Sequence, residues 1–121
     1  MAKFENNYDL EKRTLDFSQR LITFLKICPQ SPLTLPLITQ CMRAGTSIGA
    51  NYREANGASS KKDFFNKIFI CKKEAKETLY WIELLGRTLD KNELKQECRT
   101  LWSEAKEFVL IFGKIASKNK V

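Results

Sequence analysis

Ser47 lies in the run Arg43-Ala-Gly-Thr-Ser-Ile-Gly-Ala-Asn51, and a serine acts as a nucleophile only when a neighbouring base takes its proton. The chain has no histidine for that part, and no spacing sets a lysine beside Ser47 instead. Glu74 and Glu77 are three residues apart, as carboxylates in a helical two-metal site are, but such a site takes Glu-x-x-His motifs from two helices. Both glutamates also fall away from the apolar stripe of their helix, which reads as surface charge. The cysteines Cys28, Cys41, Cys71 and Cys98 come one to a predicted helix, with no Cys-x-x-Cys pair. Structural zinc asks for close ligand pairs, so they read as reduced, buried thiols serving as small apolar groups. Gly45 and Gly49 belong to no phosphate-binding loop, because no strand precedes them; they read as points where a neighbouring helix approaches closely. Trp81 and Trp102 read as packing or interface anchors, with ligand stacking as the other option. The expectation is a protein that is not an enzyme and has no cofactor, no metal and no small-molecule substrate.

Two constellations suit binding instead. On the second predicted helix, at about 100° per residue, Leu37, Cys41, Ala44, Ile48, Tyr52 and Ala55 form an apolar stripe, and Arg43, Ser47, Asn51 and Glu54 form a polar row along its flank. Arg43 and Glu54 are roughly 16 Å apart along the axis, too far to pair, so each needs another partner. The row can be an interhelical network, a ligand or phosphate site, or a solvated edge; because buried polar groups are satisfied, the network is the expectation. Further along, Lys61 to Thr78 holds six lysines against three acids. Lys61, Lys62, Lys72, Lys73 and Lys76 project into one sector of about 120°, interleaved with Phe65, Phe69 and Tyr80. Cations for phosphates and rings for stacking are what an RNA or DNA surface uses. The competing reading is a solvated face whose lysine stems cover an apolar patch. Lys118 and Lys120 extend the excess into the tail.

The elements that must position these residues follow from the periodicity. A first helix begins near Asn7 or Asp9, either able to accept from free backbone N–H groups. It buries Leu10, Thr14, Phe17, Leu21, Phe24, Leu25 and Cys28, and stops at Cys28 because Pro29 follows. Pro29 to Pro36 is a loop, and Pro36 suits the first turn of the second helix. That helix ends at Asn56-Gly57, residues that tolerate a left-handed cap. Ser60 with Asp63 resembles a capping box for a long third helix with Phe64, Ile68, Cys71, Ala75, Thr78, Ile82 and Leu85 inside. Asp90 with Glu93 gives a second such pattern, opening a fourth helix that buries Leu94, Cys98, Leu101, Ala105, Phe108, Val109 and Phe112. Lys114, Lys118 and Lys120 suit its C-terminus. Short connections make neighbours antiparallel, so the fold expected is all-α, an up-down-up-down four-helix bundle.

At 121 residues the chain is expected to be one domain, 1–121. The net charge of +7 biases the partners toward nucleic acid, anionic membrane or an acidic protein. The longest apolar run, Phe108 to Phe112, is far short of the roughly 20 residues that span a bilayer. The first residues lack an apolar signal core, so the expected location is cytoplasmic, with no membrane partner. Leu15 and Ile22 on the first helix, and Phe65, Phe69 and Tyr80 on the third, exceed what one stripe per helix needs. Each large side chain left in water forgoes roughly 1.5 to 3 kcal/mol of burial, so the surplus reads as a homo-oligomer interface; the alternative is a wider core face.

The string Arg43-x-x-x-Ser47-Ile48-x-x-Asn51-Tyr52-x-Glu54-Ala55, then Lys62-Asp63-Phe64 and Glu74-Ala75-x-Glu77-Thr78-x-Tyr80-Trp81, closely resembles the four-helix bundle family encoded in intervening sequences of bacterial 23S ribosomal RNA genes, once classed as a ribosomal protein. Tyr8-Asp9-Leu10, Arg13-Thr14 and Gln40 extend the match over nearly the whole chain. Related proteins are accessory factors of diversity-generating retroelements. The resemblance implies a small antiparallel bundle assembling into a ring, commonly a homopentamer, with no catalytic activity assigned. It makes Arg43, Ser47, Asn51 and Glu54 a family signature without attached chemistry. Many members carry Glu-Gly after this helix, whereas Glu54-Ala55-Asn56-Gly57 here points to a subgroup. Two functions are expected to compete: an RNA- or DNA-binding oligomer using its lysines, and an assembly module, such as a reverse-transcriptase accessory, that does not bind nucleic acid directly.

Overall fold

Backbone breakers divide the chain into four helices in the computed structural model, which describes residues 2–119, with side chains described from residue 9. They are α1 (Ala2–Ile27), α2 (Leu35–Asn56), α3 (Lys61–Thr88) and α4 (Asn92–Ala116). No strand occurs among the described residues. Connections this short force each helix to fold back on the last, and the result is the antiparallel up-down-up-down bundle. α3 packs broadly on both α2 and α4, whereas α1 rests mainly on α2 and meets α4 over a thinner seam.

The four apolar stripes converge on one core. Leu21 and Phe24 of α1, Ile48 and Tyr52 of α2, Ile68, Ile82 and Leu85 of α3, and Leu101, Phe108 and Phe112 of α4 are all buried in it. Phe17 meets Phe108 edge-on at 5.5 Å, and Tyr52 meets Phe112 at 5.4 Å, geometries that aromatic quadrupoles favour. The buried hydroxyls of Thr14 and Thr78 donate to their own helices, at Leu10 O (2.8 Å) and Glu74 O (2.7 Å). All four cysteines are free and buried. Burial pushes the Cys28 thiol up to about 11 and those of Cys41, Cys71 and Cys98 up to about 12, which keeps them protonated and inert.

Gly45 and Gly49 set the distance between α1 and α2. A Cβ on Gly45 would run into Leu21, and one on Gly49 would lie 2.9 Å from Thr14 Oγ1 and 3.1 Å from its Cβ. Gly45 and Gly49 therefore face α1.

The helix ends differ from expectation at the start of α1, the end of α2 and the start of α4. α1 begins at Ala2, not near Asn7 or Asp9, since no Gly or Pro interrupts the helix formers ahead of them. α2 ends on Gly57 at φ −95° and ψ 8°, with its N–H bonded to Arg53 O and Glu54 O, so the cap is not left-handed. α3 starts as expected, with Ser60 Oγ accepting from the Asp63 N–H at 3.0 Å. α4 starts on Lys91 rather than Asp90, with no side-chain cap. Buried Leu89 holds the chain extended there, so the helical turn begins one residue late.

Candidate nucleic-acid interface

Two seams of the bundle collect the acids. Between α2 and α3, the Arg43 guanidinium donates to Gln40 Oε1 (2.9 Å), to Glu74 (3.3 Å) and to Glu77. Glu77 also accepts from the Trp81 indole at 2.9 Å. Farther along the same seam Lys67 pairs with Glu54 at 2.6 Å, a bond that raises the Lys67 pKa. Glu74 and Glu77 are thus corrected from plain surface charge. They flank the apolar stripe of α3 on the side that α2 covers, and the Glu74 side chain is only 12% exposed. Ser47 and Asn51 do not cross the seam. The Ser47 hydroxyl donates to Arg43 O (2.6 Å) and the Asn51 amide to Ser47 O (2.8 Å), both on their own helix.

Between α1 and α4, Arg13 donates to Glu104 (2.8 and 3.1 Å) and to Glu107 (2.9 Å), and Arg20 forms a two-pronged pair with Glu97 at 2.6 and 2.9 Å. These hydrogen bonds raise the pKa of both arginines, that to Glu104 leading for Arg13 and that to Glu97 for Arg20. Arg13 also lies over the Phe108 ring, 5.3 Å from its centroid.

With those acids engaged along the α2 and α1 seams, the outer face shared by α3 and α4 is left strongly basic. Lys72, Lys73 and Lys76 run along α3, with Lys61 and Lys62 exposed at its start. On α4, Lys95, Arg99, Trp102 and Lys106 recur at helical spacing on one stripe, while Glu93, Glu97, Glu104 and Glu107 fall on the opposite flank. The Lys72 Cε lies 3.7 Å from where a Cβ of Gly113 would stand, which ties the two basic rows to one face. Among the described residues, no ion pair engages Lys72, Lys73, Lys76, Lys95, Arg99 or Lys106. Arg87, farther along α3, is paired with Glu83 at 3.2 Å. Lys118 is exposed just beyond α4; Lys120 lies outside the described residues.

Sequence reasoning missed the α4 contribution, although its spacing of four, three and four residues was available. It also misplaced Phe65, which is 8% exposed and stacks edge-on against Phe64. Near the start of α3 it is Phe65 that is buried and Phe64 that is only partly so, because the helix is rotated slightly from the expected stripe, and Phe65 leaves the apolar surplus. Phe69 and Tyr80 stand exposed among the lysines, at 46% and 60%. Leu15, 54% exposed, and half-buried Ile22 lie on α1, diagonal to α3 in the bundle, so the apolar surplus forms two separate patches.

No group of three or more potential metal-ligating side chains occurs among the described residues, and no helix there is long and apolar enough to cross a membrane. The family model of the 23S rRNA-intervening sequence protein matches residues 6–114. This chain belongs to the 23S rRNA-intervening sequence protein family. No match is found among curated proteins. The crystal structure of a protein of unknown function from the S23 ribosomal protein family of Bacteroides thetaiotaomicron is similar, with a TM-score of 0.78 and 35% identity over 89% of this chain and 98% of that one. In this intervening-sequence family chain, Arg43 on α2 and Glu74, Glu77 and Trp81 on α3 come from separate stretches of sequence and meet in one cluster.

Proposed function

We propose that this protein is a non-catalytic, cytoplasmic RNA-binding protein that lays the basic α3–α4 face along phosphates without reading sequence. The observation that carries the reading is the sorting of charge. The acids of α3 and α4 are largely engaged in the seams with α2 and α1, and lysines and arginines that have no acidic partner among the described residues are left on one outer face. Such a face attracts a polyanion and releases its counterions. Affinity for a structured RNA, measured by fluorescence anisotropy across salt, should fall steeply with log salt. Changing Lys72, Lys73 and Lys76 to Glu should weaken binding at least tenfold and flatten the slope. An affinity independent of salt, or unchanged in that variant, refutes the reading.

The exposed apolar patches support a second element, assembly into a homo-oligomeric ring, with a pentamer as the proposed size. Leu15 and Ile22 on one side of the bundle and Phe69 and Tyr80 on the other are different surfaces. A contact between unlike surfaces propagates head to tail and closes into a ring when the rotation permits. A ring would repeat the basic face and gain avidity. Light scattering that reports a monomer at micromolar concentration removes the ring. If Phe69→Ser with Tyr80→Ser abolishes assembly while the wild-type ring fails to bind RNA, the assembly-module reading replaces RNA binding.

A further inference from the structure

Where the last turns of α3 meet the first turns of α4, the basic face opens into a cleft of about 520 Å³ lined by Ile82, Gly86 and Trp102, with Arg87, Lys95 and Arg99 among its residues. That volume is within the range of small-ligand sites. Trp102 lines the cleft, and its indole N–H is buried with no hydrogen-bond partner among the described residues, so the ring presents apolar surface rather than a committed polar group. Three cations line it against one acid, Glu83, which is already paired with Arg87. Trp102 shares its stripe of α4 with Lys95, Arg99 and Lys106, and the cleft continues the α3 row that carries Lys72 and Lys76. A strand following those lysines reaches the cleft without leaving the basic face.

We infer that the cleft takes one unpaired base of a single-stranded RNA, stacked on Trp102, with the flanking phosphates at Lys95 and Arg99. This rests on the RNA-binding reading and adds to it a preference for single strands, because a paired base has both faces covered by its neighbours and cannot enter. Stacking on one aromatic side chain is worth about five- to 150-fold in affinity.

Trp81→Phe leaves Trp102 as the sole tryptophan, since the chain has two. In that variant a single-stranded oligouridylate should quench the Trp102 fluorescence, and an RNA duplex of equal length should bind without quenching it. Trp102→Leu should lose about tenfold for the single strand and nothing for the duplex. The cleft proposal is overturned if the single strand binds with no change in fluorescence, or if both RNAs lose affinity equally. If neither RNA binds, the RNA-binding reading itself fails and the cleft falls with it. Should Trp102→Leu not fold, the quenching measurement, which leaves Trp102 intact, decides.

Discussion

Two glycines in this chain respond to the same substitution with opposite sign, because one touches a neighbour and the other does not. A Cβ on Gly49 meets Thr14 at 3.1 Å or closer, whereas one on Gly57 meets only carbonyl oxygens at 3.8 Å, and Gly57 has a φ that alanine adopts freely. Gly49→Ala gains about 1 kcal/mol of helix propensity but overpacks the α1–α2 contact at a cost of about 1–3 kcal/mol; it should lower the melting temperature. Gly57→Ala should raise stability by about 0.4–1 kcal/mol by restricting the unfolded chain. Thermal melts of the two variants by circular dichroism check both signs. That the small residues of α2 mark a close approach was legible from their types. Which helix approaches was not, because the identity of the neighbour is a property of the packed bundle.

At the scale of an element, α2 and α3 are joined by Arg43, whose guanidinium reaches two carboxylates of α3. Arg43→Ala should cost about 1 kcal/mol, the upper end for a partly exposed pair, and Arg43→Lys should restore less than half, because a compact ammonium cannot serve Gln40, Glu74 and Glu77 together. Urea denaturation midpoints measure both. The helices and the Ser60 cap were legible because period and cap are local signals, settled within three or four residues. The start of α4 was not, since buried Leu89 overrides the pattern of Asp90 and Glu93. The basic row of α4 is hidden in the linear order: Glu97 and Glu104 interleave with Lys95, Arg99 and Lys106 along the chain, and the two signs separate only around the helix axis.

For the whole molecule, the buried titratable groups set an alkaline limit. The thiols, ordinarily near 9.0, are pushed up to about 11 or 12, and the Tyr52 hydroxyl is pushed from 10.0 up to about 12, in each case chiefly by burial. Above pH 9 the unfolded chain releases these protons first, which draws the equilibrium toward it. The stabilisation is complete below about pH 9 and should be lost as pH rises through 9 to 12, so the urea midpoint should be lower at pH 10.5 than at pH 8. The bundle as a whole was legible in the sequence because four apolar stripes and three short connections admit few arrangements. The basic face became visible only when α3 and α4 were set side by side. The α1–α4 seam, thinly packed and bridged by Arg13 and Arg20, has a further consequence for how the molecule breathes. Amide hydrogens of α1 should exchange through partial openings that added salt makes more frequent, as screening weakens the ion pairs. Those of α3, held between two partners, should wait for global unfolding, so the proposed RNA face rests on the slowest-exchanging helix of the bundle while the opposite edge comes loose first.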